Sequence, residues 1–154
     1  MRKLITEFIG TFFLVLTIGL VVNGGKGDFA PLAIGSVLMV MIFAGAHISG
    51  AHYNPAVTLA VLIRGRMNIK DAVGYWIVQF IAAVAAAYTV MYLVPDKIPA
   101  HASTMTDTTR AVIAELIGTF ALAYVVLNVA TAKGTVGNMF YGIITFNNNI
   151  GNWD

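Results

Sequence analysis

The residues of this chain best suited to chemistry are two histidines, His47 and His52, and two carboxylates, Glu7 and Glu115. Histidine and glutamate together can bind a metal ion or move a proton. The histidines are five residues apart, which does not match the helical spacing of i and i+4, and the chain has no cysteine. We therefore predict no metal site and no cofactor. An enzyme that used either histidine would have no nearby carboxylate and no cysteine as a second catalytic group.

The surroundings of these side chains are strongly apolar. Hydrophobic residues make up 58% and charged residues 10% of the chain, whereas a soluble domain carries about 25% charged residues. The mean hydropathy is +0.81. The sequence therefore predicts an integral membrane protein in contact with a lipid bilayer. The net charge of +2, without a basic run, predicts no nucleic-acid partner.

Four apolar stretches are long enough to cross a bilayer, which takes about 20 helical residues. They cover residues 4–22, 30–48, 72–94 and 111–130. The first could also be a cleaved signal peptide, but it is longer than the usual apolar core of a signal, and no small-residue cleavage site follows it. We predict a multi-pass, all-α protein of the cell membrane.

The basic residues indicate which way the chain crosses the membrane. With the N-terminus in the cytoplasm, six Lys and Arg side chains lie inside and three lie outside. The six are Arg2, Lys3, Arg64, Arg66, Lys70 and Lys133. The positive-inside rule favours this orientation. We therefore predict a cytoplasmic N-terminus and an extracellular loop over residues 96–110.

Two segments of the chain are near copies of each other. ITEFIGTFFL at residues 5–14 and IAELIGTFAL at 113–122 share seven of ten residues, with Glu7 matched to Glu115. A chance likeness of two apolar helices does not explain a glutamate in register, because a charge within the membrane is costly. Three crossings separate the copies, so the second enters from the opposite side. Inverted repeats of this kind form transport pathways between their halves.

The stretch SGAHYNPAVTLA at residues 49–60 predicts a helix too short to span the membrane. Asn54 is a favourable N-cap, and Pro55 suits the first helical position. The eleven residues from Asn54 to Arg64 would measure about 16 Å, roughly half of the bilayer core. The positive N-terminal end of this helix would lie at membrane depth beside the unpaired carbonyls of residues 50–53. Such a site selects by diameter and hydrogen bonding.

HISGAHYNPAVTLA at residues 47–60, together with the repeated glutamate segments, resembles the aquaporin and glycerol facilitator family, the major intrinsic proteins. The resemblance covers residues 1 to about 143. It implies an aquaporin-like inverted-repeat helical bundle, a passive channel for water or small neutral solutes such as glycerol, and a homotetramer. The residues that it places along the pore are Gly50, Ala51, His52, Tyr53, Asn54, Pro55, Ala56 and Ile34. The residues that it places against the loops as braces are Glu7, Glu115, Gln79 and His47.

The resemblance also predicts what lies towards the C-terminus. A second Asn-Pro-Ala motif would fall near residue 162, and the sequence ends at Asp154. We therefore expect a truncated bundle. Its first repeat would cover residues 1–95, with three spans and the half-helix 54–64, and its incomplete second repeat 111–154 would hold the fourth helix and the start of a fifth. Two functions are compatible with it: the channel itself, or a non-conducting subunit that associates with intact channel subunits.

Overall fold

The computed structural model describes residues 1–24, 27–95 and 108–131. The helices are α1 Arg2–Asn23, α2 Ala30–Ser49, α3 Pro55–Ile63, α4 Ile69–Leu93 and α5 Thr108–Thr131, and a short 3-10 helix covers Gly27–Phe29. The prediction of an all-α fold is confirmed for this part of the chain. Most of the predicted loop 96–110 and the start of a fifth spanning helix lie outside the described residues.

Four of these helices are long and apolar enough to cross a membrane, namely α1, α2, α4 and, over Val112–Val129, α5. Helix α4 begins at Ile69 and not at Ala72, because the Asn68 side chain accepts a hydrogen bond from Asp71 N at 2.8 Å and caps the helix earlier. Helix α3 has nine residues. At about 14 Å it is too short for a hydrocarbon core of about 30 Å.

The bundle is held together mainly around α1. Helix α1 packs against both α2 and α4, and α3 contacts α4 and α5. A Cβ atom at Gly19 would lie 2.5 Å from Val90 Cγ2, so α1 and α4 pack closely there and a side chain at residue 19 would displace Val90. Small residues allow this close approach of backbones in membrane helices.

The distribution of side chains is that of a membrane protein. Large aromatic side chains lie on the outside, with exposed fractions of 67% for Phe43, 71% for Phe80 and 69% for Phe120. The buried polar side chains of the described residues are Glu7, Thr11, Ser49, His52, Thr58 and Gln79. Apolar surface outside and polar groups inside suit a lipid environment, in which a buried polar group needs a protein partner. The chain is therefore a multi-pass membrane protein.

Candidate functional site

The chain between α2 and α3 forms a tight loop with an unusual backbone. The φ angle is +89° at Gly50, +52° at Ala51 and +50° at Tyr53. Glycine adopts positive φ freely, but a residue with a Cβ atom loses roughly 1–2 kcal/mol in this region. Other contacts must therefore hold Ala51 and Tyr53 in place.

The Glu7 carboxylate supplies most of these contacts. Ser49 Oγ donates to Glu7 Oε1 at 2.7 Å, and His52 N donates to the same oxygen at 3.0 Å. Tyr53 N donates to Oε2 at 2.7 Å, and Gln79 Nε2 does so at 3.0 Å. Glu7 is fully buried, and these four donors occupy the four lone-pair positions of its carboxylate. One side chain thus joins α1 to the end of α2, to loop 50–53 and to α4.

Ser49 and Tyr75 complete the support at the end of α2. Ser49 Oγ accepts a hydrogen bond from Ala51 N at 3.0 Å. Tyr75 OH donates to Ser49 O at 2.7 Å. The last carbonyls of a helix have no partner within it, so Tyr75 satisfies a group that would otherwise be buried without one.

The same contacts fix the direction of the loop carbonyls. The described peptide bonds are all trans, and in a trans peptide the C=O of one residue points away from the N–H of the next. The N–H groups of residues 51–53 donate to the side chains of Ser49 and Glu7. The carbonyls of residues 50–52 therefore point towards the opposite side of the loop, away from Glu7.

Helix α3 begins where this loop ends. Asn54 Oδ1 accepts a hydrogen bond from Ala56 N at 2.7 Å and caps the helix, and Pro55 is the first helical residue. Trp76 Nε1 of α4 donates to Pro55 O at 3.1 Å. The N-terminal end of α3, which carries a partial positive charge, is thereby held next to the loop carbonyls.

A second hydrogen-bond network fixes the imidazole of His52. Thr58 Oγ1 donates its only proton to Asn54 O at 3.1 Å and accepts from Gln79 Nε2 at 3.1 Å. His52 Nδ1 lies 3.1 Å from the same hydroxyl. With the hydroxyl proton assigned to Asn54 O, Nδ1 is the donor in this contact. The network therefore assigns the proton of neutral His52 to Nδ1 and leaves a lone pair on Nε2.

A cavity of about 700 Å³ opens beside the loop. Gly50, His52, Lys3 and Arg66 all form part of its wall. A second cavity of about 500 Å³ adjoins it and is lined by Arg2, Lys3 and Lys70 among others. The loop thus faces a space bordered by basic side chains.

Three residues that the sequence assigned to the site lie apart from this network. Ile34 is buried on α2, one turn before Leu38. His47 is exposed in the last turn of α2 and takes no part in the hydrogen bonds around Glu7. Glu115 is exposed on α5, and the second loop that the resemblance assigns to it lies outside the described residues. Within those residues, no three His, Cys, Asp or Glu side chains are grouped so that they could hold a metal ion.

Several functional side chains were missed from the sequence, namely Ser49, Thr58, Tyr75 and Trp76. Thr58 carried a local signal, because it lies one helical turn after Asn54, where a threonine hydroxyl bonds a backbone carbonyl. Tyr75 and Trp76 had none. Their partners are 26 and 21 residues away, so the contacts depend on how α4 packs.

Comparison with known proteins gives consistent results. The sequence model of the major intrinsic protein family matches residues 1–150. A glycerol uptake facilitator protein-like 6 of Lactiplantibacillus plantarum is 39% identical over 85% of this chain and 64% of its own length. Aquaporin NIP1-4 of Oryza sativa is 35% identical over 90% and 54%, and nodulin-26 of Glycine max is 34% identical over 93% and 56%. The chain thus spans between half and two thirds of the length of these relatives.

Proposed function

Because the chain belongs to the major intrinsic protein family, we propose that it forms a passive channel for water or small neutral solutes such as glycerol and is not an enzyme. The observation that carries this proposal is loop 50–53. Its carbonyls point away from Glu7, and the N-terminal end of α3 begins directly beside them. Together they form a row of acceptors next to a positive helix end.

This arrangement suits uncharged, hydrogen-bonding molecules. A passing molecule exchanges its hydrogen bonds to water for hydrogen bonds to the carbonyls of residues 50–52, which changes its free energy little. An ion would lose its hydration shell without a counter-charge, which is costly. The positive end of α3 adds an electrostatic barrier to protons and other cations. The pathway therefore selects molecules by their size and by the hydrogen bonds they form.

Asn54 has a defined role in this proposal. Its Oδ1 is used by the cap on Ala56 N, so its Nδ2 group remains available as a donor. Since Asn54 is partly exposed, Nδ2 donates a hydrogen bond to the oxygen of a passing molecule, while the carbonyls of residues 50–52 accept hydrogen bonds from it. Glu7 and Gln79 hold this geometry, Pro55 and the backbone of Tyr53 complete the wall, and Ile34 borders the outer constriction.

The orientation and assembly of the subunit belong to the same proposal. Arg2, Lys3, Arg66 and Lys70 surround the two adjoining cavities at one end of the bundle. By the positive-inside rule this end faces the cytoplasm. The exposed apolar faces contact lipid and other copies of the chain, in a homotetramer as the resemblance implies.

An osmotic assay tests the proposed function. Proteoliposomes that carry the chain should shrink faster than protein-free vesicles after an osmotic step, as followed by light scattering. The Asn54→Leu variant is the matched control, and proteoliposomes that carry it should shrink more slowly. Equal rates for the chain and for empty vesicles would contradict the proposal. Co-purification with an intact relative would then favour the non-conducting subunit.

A further inference from the structure

The side chain of Tyr53 points from loop 50–53 into the space between helices α1 and α2. It is 3% exposed and is not part of the cavity wall to which Gly50 and His52 belong. Its ring lies against Gly10 of α1. A Cβ atom at Gly10 would overlap the ring, and the three nearest atoms to such a Cβ are all ring carbons of Tyr53. The ring thus occupies a space that exists only because residue 10 has no side chain.

The hydroxyl of Tyr53 is held on the neighbouring helix. It donates to Met41 O of α2 at 2.9 Å. A Cβ atom at Gly45, one turn farther along α2, would overlap this hydroxyl. A buried tyrosine needs a partner for its O–H group, so the ring and its hydroxyl fit one position between α1 and α2.

The backbone of Tyr53 is held by a further contact, to Glu7. Its N–H donates to Glu7 Oε2 at 2.7 Å, and its φ angle of +50° is unfavourable for an L residue. The residue that follows is Asn54, the cap of α3. A shift of Tyr53 would therefore move both the last loop carbonyls and the start of the half-helix.

We propose that Tyr53 is a positioning residue for the conducting loop. Its ring, inserted between Gly10 and Gly45 and tied to Met41 O, holds residues 50–54 at a fixed depth between α1 and α2. Its effect on solute selection rests on the proposed channel function, whereas its effect on the loop does not. Gly10 and Gly45 are part of the same arrangement, because a side chain at either residue would displace the ring.

Amide hydrogen exchange of the detergent-solubilised chain tests this role whether or not the chain conducts. Gly10→Ala should raise exchange at the amides of His52 and Tyr53 by about tenfold or more, because exchange follows local opening. Tyr53→Phe keeps the ring but loses one hydrogen bond, which corresponds to about a fivefold increase. In the Tyr53→Leu background the space against α1 is free. There, Gly10→Ala should leave exchange unchanged or lower it.

Gly19→Ala is the matched control. It introduces the same methyl group into the same helix and crowds Val90 of α4 and not Tyr53. It should not raise exchange at His52 and Tyr53, and Tyr53→Leu should not relieve its effects. If Gly10→Ala acts equally in the Tyr53 and Tyr53→Leu backgrounds, or if Tyr53→Phe leaves loop exchange unchanged, the proposal is wrong.

A permeability assay tests the effect of Tyr53 on transport separately. In proteoliposomes, Tyr53→Phe should change the ratio of glycerol to water permeability, because the loop carbonyls are less firmly placed. An unchanged ratio in a conducting channel would overturn the link to selection. If the unmodified chain does not conduct, the proposed function fails, and the exchange experiment still decides the role of Tyr53.

Discussion

The backbone N–H of Tyr53 donates to the Glu7 carboxylate at 2.7 Å, across 46 residues of sequence. A carboxylate at membrane depth carries a high free-energy cost, and it is tolerated when groups inside the protein form hydrogen bonds with it. Glu7 has four such partners. These four hydrogen bonds hold a strained loop in place.

Removal of the Glu7 carboxylate should destabilise the bundle strongly. Glu7→Ala leaves buried donors on Ser49, His52, Tyr53 and Gln79 without an acceptor, at about 1–3 kcal/mol for each donor left unpaired. The midpoint of thermal unfolding in detergent should fall markedly. Asp28→Ala is the control, because Asp28 is an exposed carboxylate. Equal losses in the two variants would contradict the bracing role of Glu7.

Loss of the cap on α3 should act locally. Asn54→Ala removes the acceptor for Ala56 N and should cost about 1 kcal/mol. Hydrogen exchange at the Ala56 amide should rise, and Asn54→Asp should restore protection because a carboxylate also accepts this bond. Asn68→Ala removes the equivalent cap of α4. It should raise exchange at Asp71 and leave Ala56 protected. Any other pattern would contradict the prediction that Asn54 and Asn68 each cap only their own helix.

The helices could be predicted from the sequence because they depend on local patterns. The length of the apolar stretches predicted the four spans, and the pair Asn54 and Pro55 predicted the start of the half-helix. The family resemblance is confirmed by the match over residues 1–150. The start of α4 was placed three residues late because Lys70 and Asp71 interrupt the apolar run, although a capped helix accommodates both at its first turn.

The detailed geometry of the site could not be predicted in the same way. Positive φ at Ala51 and Tyr53 contradicts what residues with a Cβ atom prefer, and it depends on Glu7 far away in sequence. The partners of Tyr75 and Trp76 depend on the rotation of α4 about its axis. His47 and Glu115 were assigned by resemblance, and their exposure depends on packing that local patterns do not report.

The assigned tautomer of His52 predicts a spectroscopic signature. Nitrogen NMR of ¹⁵N-labelled imidazole should show a protonated Nδ1 and an unprotonated Nε2, because Thr58 Oγ1 already donates to Asn54 O. Thr58→Val removes the hydroxyl and should release this preference. Thr89→Val is a control, since its hydroxyl bonds only Ala85 O within α4. A proton on Nε2 in the unmodified chain would refute the assignment.

The proposed cytoplasmic N-terminus predicts which side of the membrane each end of the bundle faces. The chain has no cysteine, so a single introduced thiol can be labelled without background. Arg66→Cys should react with an impermeant reagent only from the cytoplasmic side. Phe29→Cys, in the exposed connection between α1 and α2, should react only from outside. The reverse pattern would invert the topology.

Ile34 is predicted to set the aperture on the side of α2. Its side chain is 5% exposed, and isoleucine brings less bulk than an aromatic ring and no hydrogen-bond donor. In a chimera that joins residues 1–140 to the second half of a strict water channel, glycerol should therefore enter. Ile34→Phe should slow glycerol more than water, at a stability cost of about 1–3 kcal/mol from overpacking. Leu32→Phe makes a similar change at a position that is 54% exposed and should leave the ratio of glycerol to water unaltered. If the Ile34→Phe and unmodified chimeras admit glycerol equally, Ile34 does not define the constriction.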